Sequence, residues 1–288
     1  MVKVKAAAKI NISLDIIKKL ENGYHSLFML MQSVDLYDKI SVELTNDKKI
    51  SVSCNVAGIP TDETNIAYKA AVAFFKYAEI DNPGISIDIC KAIPFAAGLA
   101  GGSADGAGVI VSLDRLFGTS FSQKQLCEIG IKVGADIPFC IVGGTMLSQD
   151  IGGVLSPLPS LENVHIVLAK PKAGVSTKSA YNAFDNAVNV RHPDNASILH
   201  FAANGDYDSV YKYASNVFEQ FIEVPQRVNI KSVMRDNNCK ITCMSGSGPT
   251  VFGIFENKTD AENCFEKLSE IMDDVYITKP VSKGVVFE

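Results

Sequence analysis

Pro94-Phe95-Ala96-Ala97-Gly98-Leu99-Ala100-Gly101-Gly102-Ser103-Ala104 is the stretch that decides how this chain is read. Gly98, Gly101, Gly102 and Ser103 fall together, behind a strand-like run at 85–90 and directly before a helical pattern reaching Phe117. Glycines lacking a Cβ let backbone N–H groups converge. The helix behind adds unpaired N–H groups and the positive end of its dipole. Glycines alone also fit a flexible loop or a tight helix start. The strand before, the helix after and Ser103 at its start favour a socket for phosphate oxygens.

Working outward, strands are predicted over 2–20, 36–44 and 49–56, with a turn at Asn22-Gly23. The block Asp62-Glu63-Thr64-Asn65 caps a helix reaching about Tyr77. A further helix starts near Ser122, where Ser122 and Gln125 have capping-box spacing, and ends by Gly134. A strand is predicted over 139–148. Glycines and prolines at 152–159 mark the best boundary, giving domains at 1–158 and 159–288. Beyond it come a strand at 165–169, helices at 176–187, 194–203, 207–222 and 225–237, strands at 240–244 and 250–255, a helix at 259–272 and a strand at 275–279. That order suggests an α+β sandwich of ferredoxin-like type.

Composition narrows the function. Apolar residues make up 47% and charged residues 20%, as in a folded globular enzyme. The net charge of -5 argues against a nucleic-acid partner held by phosphate neutralisation. No apolar run approaches a membrane span, so no membrane partner is expected. The start of the chain lacks a signal-peptide pattern, and a cytoplasmic location is expected. Seven irregularly spaced cysteines read as free thiols, mostly in apolar surroundings, Cys90 among them. Cys239 and Cys243 lack the further ligands of a metal site. There is no Walker loop, no Rossmann fingerprint following a strand, and neither H-R-D nor D-F-G of the protein kinases.

The 94–104 loop also resembles the central signature of the GHMP small-molecule kinases, named for galactokinase, homoserine, mevalonate and phosphomevalonate kinases. Pro94, Gly98, Leu99, Gly102, Ser103 and Ala104 carry the match. Ala8-Lys9-Ile10-Asn11 is similar to the N-terminal motif of the family, and Met244-Ser245-Gly246-Ser247-Gly248-Pro249-Thr250 to its C-terminal Gly-rich motif. Three motifs in order are far more specific than one. The blocks Asn22-Gly23-Tyr24-His25, 31–38 and Gly134-Ala135-Asp136-Ile137-Pro138 resemble the branch that phosphorylates a tertiary hydroxyl of a cytidine-diphosphate-linked methylerythritol in the non-mevalonate isoprenoid pathway.

The resemblance implies a two-domain GHMP kinase fold: an N-terminal ribosomal-protein-S5-like α/β domain and a C-terminal ferredoxin-like sandwich, with ATP between them. It implies ATP as phosphoryl donor with Mg²⁺, a small-molecule acceptor, and a monomer or homodimer. Lys9 and Asp136 match the catalytic pair. A tertiary alcohol is a crowded nucleophile that a carboxylate assists by taking its proton, and an ammonium offsets the phosphoryl charge. Taken alone, Lys9 reads as a strand-edge lysine and Asp136 as a cap ahead of Pro138.

Pro94, Ala96, Ala97, Gly98, Leu99, Ala100, Gly101, Gly102, Ser103 and Ala104 match the phosphate loop, and Asn65 and Lys91 align with positions near the adenine. Ser103 is the most plausible protein contact to Mg²⁺, but no metal ligand is assigned. Asn11 matches a contact near the acceptor hydroxyl. Tyr24 and His25 match the cytidine block, Tyr181 a second face of that stack, and Thr177 and Gly246 the substrate's surroundings. Tyr181 reads almost as well as a core aromatic. Three departures stand out: Ala100 for a loop glycine, Gly106 for an alanine, which should loosen the start of that helix, and Gly153 for an acidic residue. A homoserine- or mevalonate-type kinase and a non-catalytic nucleotide-binding regulator remain the alternatives.

Overall fold

The computed structural model describes residues 1–288. It begins with two long antiparallel strands, β1 (Val2–Lys19) and β2 (His25–Leu44). The turn between them follows from Asn22, whose side-chain oxygen accepts the Tyr24 N–H at 3.0 Å, and from Gly23 at φ +82°. β2 divides its outer edge. Lys39–Leu44 pairs with β4 (Ile85–Cys90), and Leu27–Gln32 pairs with β5 (Thr145–Asp150). β3 (Ile50–Cys54) runs parallel to β4, and β6 (Val154–Pro157) pairs with β5. The first half of β2, residues 25–35, escaped the sequence reading because residues 27–34 are buried on both faces, which erases the two-residue alternation.

Helices α1 (Ile66–Ala78), α2 (Gly101–Phe117), α3 (Gln123–Ile131) and α4 (Ile137–Val142) accompany this sheet. Within the expected capping block 62–65 it is Asn65 that caps α1, and Ser122 with Gln125 closes a capping box on α3, as their spacing implied. The strand expected over 139–148 is corrected. Its first four residues belong to α4, which tolerates Pro138 in its opening turn and stops at Gly143, φ +73°. α2 packs closely because it is rich in small residues. A Cβ on Gly106 would come within 3.0 Å of both Ile66 Cγ2 and Ile137 Cδ1. Gly106 therefore makes room for two isoleucines.

The second half contains β7 (His165–Ala169), α5 (Thr177–Asp185), α6 (Asn195–Ala203), α7 (Tyr207–Tyr213), a 3-10 turn (Val217–Gln220), α8 (Arg227–Asp236), β8 (Ile241–Met244), β9 (Val251–Phe255), α9 (Lys258–Ser269) and β10 (Val275–Thr278). Its sheet has the order β10-β7-β9-β8 with every pairing antiparallel. Numbered within the sheet this is 4-1-3-2, the ferredoxin-like arrangement. The helix expected over 207–222 is interrupted. Ala214 is extended, and the Ser215 carbonyl turns to accept the Leu14 N–H of β1 at 2.9 Å.

The break expected at 158/159 falls between β6 and β7. The second half does not hold all of 159–288, however, because β11 (Val285–Phe287) returns to pair with β1. One buried core runs through both sheets, from Ile10 and Phe74 to Leu168 and Phe252. All seven cysteines are free. Cys90 corrects the expectation of a buried thiol: it lies on the outward face of β4 and is exposed.

Candidate active site

A cleft of about 750 Å³ opens between the halves. Lys9 and Asn11 stand two residues apart on β1 and so share one of its faces. Both are buried, Lys9 with only 4% of its surface exposed. That removes the surface reading of Lys9. Its Nζ donates to Asn11 Oδ1 at 2.5 Å and lies 3.8 Å from Asp136 Oδ2. Asp136 stands at the start of α4 but makes no capping hydrogen bond, so its carboxylate is free to face the cleft.

The 94–104 loop forms a further part of the wall. Gly98, at φ +76°, passes so near the third motif that a Cβ would lie 2.2 Å from the Ser245 carbonyl oxygen. Two bonds fix that contact and a third ties the loop to β1. Ser245 Oγ donates to Gly98 O at 2.9 Å, Thr250 N–H donates to Ala97 O, and Lys9 N–H donates to Leu99 O. Gly246, at φ +57°, would place a Cβ 3.5 Å from Lys9 Nζ. The loop then turns through Ala100, which holds the left-handed conformation at φ +59°, into α2. Pro94, Ala96, Ala97, Gly98, Ala100, Gly101, Gly102 and Ser103 line the cleft, whereas Leu99 and Ala104 point into the core.

Beneath the loop lies a buried charge cluster. Lys91 Nζ bonds Asp38 and, at 2.8 Å, Asp105. Asp38 also accepts the Ala92 and Ile93 N–H groups. Burial alone would lower the Lys91 pKa, but Asp105 and Asp38 together hold it above the ordinary lysine value. Burial pushes the Asp105 carboxyl up to about 7, opposed by Lys91 and assisted by Asp38. Lys91 reaches the cleft wall. Asn65 does not: its amide is used within the fold, accepting from Ala67 N–H and donating to the Pro60 carbonyl.

At the far end Tyr24 is 64% exposed, while His25 is buried and bonds Asp185 of α5 at 2.7 Å through Nε2. Tyr181 stacks on His25 itself, with ring centroids 4.7 Å apart and 23° between planes. A base therefore does not fit between those two rings. Burial raises the Tyr181 hydroxyl above its ordinary pKa. Thr177 Oγ1 lies 3.0 Å from Ser247 Oγ, joining α5 to the third motif. Lys19 and then His25 hold the Asp185 carboxyl below the usual carboxylate range. Sequence reasoning missed Lys19, Asp185 and Ser247. The spacing of Tyr181 and Asp185, one turn apart on a helix, was the available signal for Asp185.

Residues 65–144 match the GHMP kinases N terminal domain and residues 198–274 the GHMP kinases C terminal domain. A 4-diphosphocytidyl-2-C-methyl-D-erythritol kinase of Clostridium acetobutylicum is 45% identical over 96% of this chain and 99% of its own. The chain belongs to this family of GHMP kinases. Another member, from Clostridium beijerinckii, is 43% identical over 97% of this chain and 100% of its own. A crystal structure of a 4-(cytidine 5'-diphospho)-2C-methyl-D-erythritol kinase superposes with a TM-score of 0.78 at 28% identity, covering 96% of this chain and 98% of that one. A homoserine kinase from Cytophaga hutchinsonii reaches 0.82 at 19% identity, covering 100% and 97%. Backbone shape thus reports the GHMP kinase fold without separating acceptors; the sequence match separates them. The chain is a small-molecule kinase with ATP as its phosphoryl donor.

Proposed function

We propose that this kinase phosphorylates the 2-hydroxyl of 4-diphosphocytidyl-2-C-methyl-D-erythritol, with Lys9 and Asp136 as its catalytic pair. The observation that carries the assignment of roles is the 3.8 Å approach of Lys9 Nζ to Asp136 Oδ2, facing the cleft that the glycine loop also lines. The loop N–H groups and the start of α2 hold the triphosphate. Asp136 accepts the proton of the acceptor hydroxyl while its oxygen bonds the γ-phosphorus. The bond from that phosphorus to the β–γ bridging oxygen breaks, and ADP leaves with the electron pair. Lys9, steadied by Asn11, offsets negative charge between nucleophile and phosphate.

The cleft is lined by two serines, Ser103 and Ser247, and two carboxylates, Asp136 and Asp185, of which Ser103 belongs to the glycine loop, and the molecule has no cluster of three His, Cys, Asp or Glu side chains able to hold a metal. Such a donor set fits Mg²⁺ carried on the ATP phosphates, since that ion keeps waters and takes few protein ligands. When bound, it neutralises charge across the β- and γ-phosphates. The test is ADP release with ATP, Mg²⁺ and the cytidyl substrate, and phosphorus NMR of the product. The 2-phosphate is expected, with no comparable turnover of homoserine or mevalonate. A folded protein that converts homoserine or mevalonate instead, or releases no ADP with any of the three, overturns the assignment.

A further inference from the structure

His25 is held more tightly than a residue that merely lines a wall. Tyr181 covers one face of its ring, Phe184 meets it edge-on at 6.1 Å, and Asp185 fixes its Nε2. A carboxylate only accepts hydrogen bonds, so Nε2 carries the proton in this pair. In the neutral ring Nδ1 is then left as an acceptor. No protein group bonds Nδ1, and it is not among the buried polar atoms closed off without a partner. An immobilised ring thus presents a lone pair at the cleft.

We infer that Asp185 is the positioning residue that sets base specificity, by fixing the tautomer in which His25 Nδ1 accepts the exocyclic amine of cytosine. The inference rests on the proposed cytidyl substrate and deepens it. On the Watson–Crick edge, cytosine carries an amine where uracil carries a carbonyl. A carbonyl there would set lone pair against lone pair, and a site built for one hydrogen bond rejects the analogue that cannot make it. An amide at position 185 can donate to Nε2, which moves the ring proton to Nδ1 and reverses its preference.

The experiment compares kcat/KM for the cytidyl substrate and its uridyl counterpart in wild type, Asp185→Asn and Asp185→Glu. Nitrogen NMR of the His25 ring is read alongside in each protein without substrate. Wild type is expected to show protonated Nε2 and bare Nδ1, and to prefer the cytidyl compound by roughly 100-fold. Asp185→Asn is expected to lose at least about 10-fold of that preference, chiefly in KM, and Asp185→Glu to recover part of it. Protonated Nδ1 in the wild-type ring overturns the inference whatever the enzyme turns over. So does an unchanged preference in Asp185→Asn, while leaving the substrate assignment intact. Failure to turn over the cytidyl compound, with the expected ring tautomer present, counts against the substrate assignment; an unaltered tautomer in Asp185→Asn then overturns the inference as well.

Discussion

At the scale of single residues, the catalytic assignment turns on Asp136. Asp136→Asn keeps the shape and removes the proton acceptor, so kcat is expected to fall by about 10²–10⁴-fold. ATP affinity, measured by calorimetry, should stay within a few-fold. Asp105 supports a different prediction. Its folded pKa, about 7, stands above the unfolded value, so the folded state binds the extra proton. Its contribution to stability is complete below the unfolded carboxylate pKa of about 4 and is lost as pH rises towards 7. Asp105→Asn mimics the protonated form and should flatten the fall in urea midpoint between those limits; an unchanged slope would remove Asp105 as its source. Lys9 and Asp136 were legible in the sequence only as parts of a motif. The carboxylate on His25 was not, because an aspartate on an amphipathic helix looks like a solvated residue until the fold brings β2 against it.

At the scale of elements, the junction of loop and α2 is the informative part. Ala100 holds a left-handed conformation that a Cβ disfavours by about 1–2 kcal/mol. Glycine would relieve it, at an entropic cost of about 0.4–1 kcal/mol in the unfolded chain. The first effect wins narrowly, so Ala100→Gly is expected to raise stability by about 0.5 kcal/mol in urea unfolding. A clear loss would mean that the loop tolerates alanine without strain. Caps and turns were readable because Asn65, Ser122, Gln125 and Asn22 act on neighbours in sequence. The first half of β2 and the short α4 were not. One is buried on both faces, and the other is an apolar run too short to show a helical period.

At the scale of the whole molecule, the site exists because parts far apart in the chain are tied together. Asn216 shows how. It is 3% exposed, its amide donates to the Met244 and Gly246 carbonyls at 2.7 Å each, and its oxygen accepts the Phe218 N–H. It also lies beside Leu14 of β1. Asn216→Ala would leave those three buried backbone groups without partners. A loss of about 3 kcal/mol in urea unfolding is expected, with kcat reduced because the third motif loses its brace. A loss below about 1 kcal/mol would show that the motif holds its shape unaided.

β11 has a consequence for how the molecule is made. β1 leaves the ribosome long before β11, and that strand, which covers the outer edge of β1, is encoded after the whole of the second sheet. Throughout most of synthesis the nascent first sheet therefore carries an open edge of unpaired backbone groups, next to Val2 and Val4. That edge is a natural place for chaperone engagement or for pairing between neighbouring nascent chains.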